Sequence, residues 1–262
     1  MKRGASLRLN ELVPLERLDE DRYRQIICYP RYDPKEMKKR LKELQEIRIE
    51  ALELTGEKMI FNVPVLGKGY VGIVVAVHTD SGIGALKIRR VDADRAGMQH
   101  ESEMLGRANA IHVGPRLLNV TENLLLMEFI EGALLPSWIE ALRGRGTRSR
   151  VRRVLRAILD KCYKLDEAGL DHGELSRAPR HIIVDANDDP RLVDFETASI
   201  NRRVSNVTSI CQYLFLRSQT ARAIKRKLGK IDEKELTDAL RNYKHERTLE
   251  NIKEILEICR VY

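Results

Sequence analysis

Apolar positions change their spacing along the chain, and each change marks a change of structure. Met37, Leu41, Leu44, Ile47, Ala51 and Leu54 recur at steps of three or four and draw one helical stripe. Asp33 before Pro34 supplies an N-cap and a first-turn proline, and Gly56 a stop. One helix is therefore expected over about residues 34–56, with a shorter one near Leu18–Cys28. From Phe61 the spacing drops to two. Phe61, Val63 and Val65 alternate, a β-branched run Ile73, Val74, Val75 and Val77 follows, and Ile83–Arg89 reads as the next strand. A helix over about Asp94–Ala108 interrupts, Gly114-Pro115 breaks the chain, and Arg116–Val120 and Leu124–Glu128 read as strands joined at Thr121-Glu122-Asn123. From about residue 133 helical spacing returns. Val151, Val154, Leu155, Ile158, Leu159, Cys162 and Leu165 line a long helix ending at Gly169. Short apolar runs at Ile182-Ile183-Val184 and Arg191-Leu192-Val193 flank the turn-rich Asp185–Pro190. Helices are then expected near Ser205–Phe215, from Asp232 with Glu235, and along Leu249, Ile252, Leu256 and Cys259. The expected class is α+β: a helical N-terminal segment over 1–60, a β-rich region with one helix over 61–131, and a mainly helical region over 132–262.

Length and composition narrow the picture modestly. The chain's 262 residues suffice for one large or two small cores, and 43% of them are hydrophobic. No apolar run is long enough to span a bilayer, and Met1-Lys2-Arg3-Gly4 leads into polar sequence, so a cytoplasmic protein with no membrane partner is expected. Cys28, Cys162, Cys211 and Cys259 form no C-x-x-C pair; buried structural thiols are expected rather than a disulfide or zinc site. The net charge of +8 favours anionic partners: nucleotide phosphates, RNA or ribonucleoprotein. The densest basic stretch, Arg143, Arg145, Arg148, Arg150, Arg152, Arg153 and Arg156, carries no interleaved aromatics. It reads as the solvated start of a helix or as a phosphate- or RNA-contacting patch, not as a base-stacking platform.

The sharpest chemical signal is Gly67-Lys68-Gly69-Tyr70-Val71-Gly72-Ile73-Val74, with the spacing G-x-G-x-x-G-x-V. Glycines there let a tight turn bring backbone N–H groups close to phosphate oxygens. A dinucleotide fold would need a helix after the third glycine. Here the β-branched run ends in the turn Thr79-Asp80-Ser81-Gly82, so a hairpin is expected instead. Thirteen residues after Val74, Ala85-Leu86-Lys87 places a lysine on the returning strand. Further landmarks follow in order: Glu101-Ser102-Glu103-Met104-Leu105, Leu126-Met127-Glu128-Phe129-Ile130-Glu131-Gly132, His172-Gly173-Glu174-Leu175-Ser176 and Val193-Asp194-Phe195-Glu196.

Together these resemble the protein-kinase-like superfamily over roughly residues 60–220. The resemblance implies a bilobal fold, a small antiparallel lobe over 61–131 and a helical large lobe over 132–262, with ATP and Mg²⁺ (or Mn²⁺) as cofactors. It implies that Gly67, Lys68, Gly69, Tyr70, Val71, Gly72 and Val74 close over ATP, and that Lys87 holds the α- and β-phosphates. Glu101 would pair with Lys87, with Leu105 four residues on and Glu103 as the alternative. Ala85 and Met127 would line the nucleotide pocket, backbone groups of Glu128 and Ile130 would meet adenine, and Asp194 would hold the metal. Glu174 would orient the acceptor hydroxyl. Phosphoryl transfer suits these residue types, because its charged, loose transition state is stabilised by positioning, lysine and metal.

The chain also departs from the common kinase pattern. His172-Gly173-Glu174 stands where most kinases have His-x-Asp, which lengthens the carboxylate by one methylene. Pro179 stands where the metal-ligating Asn is usual, and His181 falls at the aligned place if the loop is two residues longer. Asp194-Phe195-Glu196 replaces Asp-Phe-Gly, with no Ala-Pro-Glu and no long activation segment after it. This is closer to the compact atypical branch, such as the RIO kinases, which carry Ser where Ser176 stands. The expectation is an atypical serine/threonine kinase acting on an unknown protein substrate or on itself. The alternatives are a nucleotide-binding pseudokinase or slow ATPase scaffold, and a small-molecule kinase.

Overall fold

The structure, a computed structural model, describes residues 10–262; the N-terminal Met1-Lys2-Arg3-Gly4 lies outside them. The chain is α+β and divides into two compact units. One holds the described residues up to Ser102 together with Arg116–Phe129; the other holds Glu103–Pro115 and Ile130–Tyr262.

The first unit is built on an antiparallel sheet. Its elements are β1 (Glu11–Pro14), α1 (Arg24–Ile27), α2 (Pro34–Glu46), β2 (Ile49–Leu54), β3 (Lys58–Ile60), β4 (Val63–Val65), β5 (Gly67–Lys68), β6 (Gly72–Thr79), β7 (Gly82–Arg89), the start of α3 (Arg95–Ala110), β8 (Leu117–Val120) and β9 (Leu124–Glu128). The sheet order is β1-β2-β6-β7-β9-β8, with β5 paired to β6 and β3–β4 a separate hairpin. Asp33 caps α2 as expected, accepting from the backbone N–H groups of Lys35 and Glu36. The helix then stops ten residues before Gly56. Arg48 takes a left-handed conformation (φ 57°) and the chain turns into β2. Residues 1–60, expected as a helical extension, thus contribute two strands to the sheet. The apolar positions Ile49, Ala51, Leu52 and Leu54 serve a strand as well as a helix, and what decides is the partner: Leu52 pairs with Val77 in β6. Phe61 is corrected too. With Asn62 it forms the two-residue turn between β3 and β4, both at positive φ, and its ring is half exposed. Between α2 and the sheet lies a core of Leu18, Ile26, Ile27, Met37, Leu44, Leu52, Ile73, Val75, Leu86 and Leu124, each worth about 1.5–3 kcal/mol of burial.

The second unit is mainly helical. It comprises the rest of α3, β10 (Gly132–Leu134), α4 (Leu135–Ala141), α5 (Thr147–Glu167), β11 (Ile182–Asp185), β12 (Pro190–Leu192), α6 (Asn206–Cys211), α7 (Gln219–Leu228), α8 (Glu233–His245) and α9 (Leu249–Ile258), with a π-helical turn at Gln212–Leu216. β10, β11 and β12 form a small antiparallel sheet; β10 was not foreseen, because Gly132-Ala133-Leu134 carries no alternation. At Gly132 a Cβ would meet the Val184 carbonyl oxygen at 2.4 Å, so only glycine lets β10 approach β11. The stripe expected on α5 is buried from Val151 through Leu165, and Asp232 caps α8 as expected. All four cysteines are buried free thiols. Among the described residues no helix is long and apolar enough to cross a membrane.

The arginine run at the start of α5 is largely engaged. Arg150 grips the Asp188 carboxylate with two bonds of 2.8 and 2.6 Å, and Arg153 adds a third at 2.6 Å. Asp188 sits in the β11–β12 turn at φ 63°, its side chain only 5% exposed, and also accepts from the Trp138 indole. The Arg150 guanidinium holds that carboxyl below the usual range. Arg156 pairs with Asp160, Arg148 donates to the Leu228 carbonyl, and Arg143 folds onto the carbonyls of Glu140 and Leu142.

Candidate functional site

In the first unit the glycine-rich stretch forms the expected hairpin. β5 pairs with β6 through Gly67↔Val74 and Lys68↔Ile73, and the Gly69 N–H closes the turn on the Gly72 carbonyl. Gly72 faces the returning strand. A Cβ there would stand 2.7 Å from the Ile88 carbonyl oxygen and 3.0 Å from Lys87 Cγ, so any side chain would push β7 away. Tyr70, at the tip, is 90% exposed. Lys68 leaves the loop backbone to lie over the Tyr29 ring at 4.8 Å, and Val71 packs against Gly97 of α3, where a Cβ would come within 3.2 Å. A glycine inside a helix costs about 1 kcal/mol relative to alanine, and here close approach of loop and helix is the reason for it.

Register then gathers the other residues of this unit. Lys87 lies opposite Val74 on β6 and Leu125 on β9, Ala85 lies opposite Met127, and Gly72 opposite Arg89. Directly opposed residues share a face, so Gly72, Val74, Ala85, Lys87 and Met127 stand on one side of the sheet. Lys87 Nζ donates to Glu101 Oε2 at 2.6 Å, both side chains about 4% exposed. Removing one partner of such a pair strands a buried charge, at a cost of about 3–5 kcal/mol. Glu103, the alternative partner, instead pairs with Arg107 along the helix surface. Glu128 gives its N–H to the Arg116 carbonyl, and its carboxylate accepts from the Arg116 N–H at 3.1 Å.

In the second unit Glu174 is half-buried at the start of a 3₁₀ turn, Leu175–Arg177, that leaves Ser176 exposed. Ile130 is half-buried just after β9. The loop carrying Glu174 is heavily fastened. Asp171 exchanges backbone bonds with Ser199, and its carboxylate takes Arg202 Nε at 2.6 Å and the Ser205 N–H. Gly173 (φ 89°) has no room for a Cβ, since Arg202 Nη2 and Thr197 Oγ1 lie within 2.7 Å of that position. The His172 N–H donates to Asn206, which in turn is held by the buried Asp166. Burial pushes the Asp166 carboxyl up from its ordinary range.

His172 is a packed core histidine. Its ring lies on Phe195, with Nε2 against the Val193 carbonyl at 3.2 Å. Burial, reinforced by neighbouring His181, pushes its pKa down to about 4, so the ring is neutral at physiological pH. Asp194 follows directly after Val193 in a left-handed conformation (φ 70°), uncommon for a residue that carries a side chain. His181 Nε2 stands 3.8 Å from Asp194 Oδ2, and carboxylate oxygens of Asp194 and Glu196 lie within 4.8 Å of each other. Two carboxylates at this separation suit a hard divalent cation such as Mg²⁺ or Mn²⁺, and imidazole beside them suits Mn²⁺ better than Mg²⁺.

Sequence reasoning missed the residues that hold these groups: Arg89 and Asn123 in one unit, Asp166, Asp171, Arg202 and Asn206 in the other. Their partners are distant in sequence, and no local spacing signals them. No protein-family model matches the chain, and no curated protein matches it.

Proposed function

We propose that this chain is an ATP- and divalent-metal-dependent phosphotransferase of the protein-kinase-like superfamily, acting on serine or threonine hydroxyls of a protein or of itself. The observation that carries the reading is the buried Lys87–Glu101 pair beside a glycine hairpin that has no room for a side chain at Gly72. A surface lysine needs neither. A lysine that must meet phosphate at one position needs both: a carboxylate that holds the ammonium, and backbone N–H groups that come close to the anion.

On this reading Lys87 binds the α- and β-phosphates, and the hairpin from Gly67 to Val74 covers them. Asp194 and Glu196 hold the metal, which neutralises charge on the transferring phosphoryl group. Glu174 orients the acceptor hydroxyl and takes its proton. The fastening of residues 171–174 by Arg202 and Asn206 supports that role, since orientation requires a fixed carboxylate. A nucleotide-binding scaffold without transfer is the second reading; Pro179, which offers no metal ligand at the position usual for Asn, favours it.

The test is transfer of radiolabelled γ-phosphate from ATP with Mg²⁺ or Mn²⁺, beside ATP-induced thermal stabilisation. Wild type is expected to label itself or a Ser/Thr protein. Lys87→Ala and Asp194→Ala should lose at least about 100-fold in rate, the scale of one lost electrostatic contact to a transition state. Stabilisation by ATP without labelling selects the scaffold. Absence of both overturns the nucleotide reading.

A further inference from the structure

We propose that Arg89 is a positioning residue for the Lys87–Glu101 pair: it fixes the turn from which α3 starts, and α2 holds Arg89 in place. The proposal rests on the reading of Lys87 and Glu101 as a phosphate site.

Arg89 lies two residues after Lys87 on the same face of β7 and is 3% exposed. Its guanidinium has five N–H donors, and five bonds leave it. It donates to the carbonyls of Arg90 (2.9 Å) and Ala93 (2.6 Å), twice to Asn123 Oδ1 (2.9 and 2.7 Å), and to Glu36 Oε2 at 3.3 Å. The two carbonyls bracket the turn from β7 into α3. Asp94 then caps the helix by accepting from the Ala96 N–H, and Glu101 follows within two turns. The position of that turn therefore sets where Glu101 meets Lys87.

The supports come from α2. Arg40, wholly buried, donates to the Ile27 and Arg89 carbonyls, the latter at 2.6 Å. Glu43 takes the Asn123 backbone and side-chain N–H groups, fixing the amide that Arg89 grips. Burying two guanidinium groups is costly, and apolar side chains of similar volume would fill the space at less expense to stability. What the planar fork supplies is direction: several acceptors on separate elements held in one geometry, which a lysine ammonium cannot reproduce.

The experiment compares Arg89→Lys with Leu54→Ala, a core truncation in the same unit on β2, an element that carries none of the partners of Arg89 given above. Amide hydrogen exchange over residues 94–102 is read without nucleotide, and ATP–Mg²⁺ affinity by calorimetry. Arg89→Lys should speed exchange in the first turns of α3 and weaken ATP binding, each by about tenfold, the scale of a lost charged hydrogen bond. Leu54→Ala, at an equal or larger fall in Tm, should leave both within about twofold. Exchange unchanged in Arg89→Lys, or equally raised in Leu54→Ala, overturns the proposal. Failure of wild type to bind ATP overturns the phosphate-site reading instead, and the exchange comparison still decides positioning. Should Arg89→Lys not fold, Glu36→Gln carries the same comparison with about a threefold effect expected.

Discussion

The His172 imidazole titrates near 4 in the folded chain against 6.5 for the free side chain, because the protonated ring would be buried beside His181. The unfolded chain therefore binds a proton over this window that the folded chain refuses. Stability from this residue is complete above pH 6.5, falls as pH falls, and is down by about 2 kcal/mol at pH 5. Urea unfolding in metal-free buffer at pH 7, 6 and 5 checks this. Replacing His172 by Gln should flatten the decline, and an equally steep decline in both proteins rejects the assignment. Residue-scale chemistry was unevenly legible. The glycine hairpin, Lys87 and Glu101 follow a spacing that a single strand and helix impose, and the chain announces it. The left-handed Asp194 and the fit of Arg202 over Gly173 depend on loops closing from far along the chain.

Elements were readable where a cap and a period agreed. Asp33 with Pro34 and Asp232 with Glu235 start helices where expected, and the α5 stripe is buried throughout. Where period alone spoke, it misled. Ile47, Ala51 and Leu54 fit a helical step, yet Arg48 adopts a left-handed turn without the glycine that usually marks one, and the strand partner wins. The start of α7 shows how a cap can do two things. Ser218 accepts from the Ala221 N–H and donates to the Tyr213 carbonyl within the π-helical turn. Ser218→Ala should cost about 1–2 kcal/mol, read from urea midpoints, with Ser218→Asn recovering part of it. A loss below about 0.3 kcal/mol would show that the cap is replaced by water.

At the scale of the whole chain, each unit carries its own share of the proposed chemistry, phosphate recognition in one and metal and acceptor carboxylates in the other. The division runs through α3, immediately after Glu101 and Ser102. Sequence reading placed this helix entirely with the strands, because nothing in its own pattern marks a change of neighbours at Glu103. The basic run is less available than it looks. Of the arginines from Arg143 to Arg156, Arg145 and Arg152 are the members without a carboxylate or carbonyl partner among the described residues. Asp188 offsets one of the two charges of Arg150 and Arg153, Asp160 offsets that of Arg156, and the carbonyls that Arg143 and Arg148 meet offset none, so about five positive charges of the seven face a phosphate chain. A single-stranded RNA lying along this run would release the cations of about five phosphates, and the contribution to the slope of log affinity against log salt is about −3.5, where seven free groups would give about −5. A salt titration with labelled oligouridine on wild type and on the R145Q/R152Q variant should differ in slope by about 1.4, and equal slopes would remove the run from RNA contact. Asp188 thus acts as a resident counterion, taking the place on Arg150 and Arg153 that a nucleic-acid phosphate would otherwise have to win from salt.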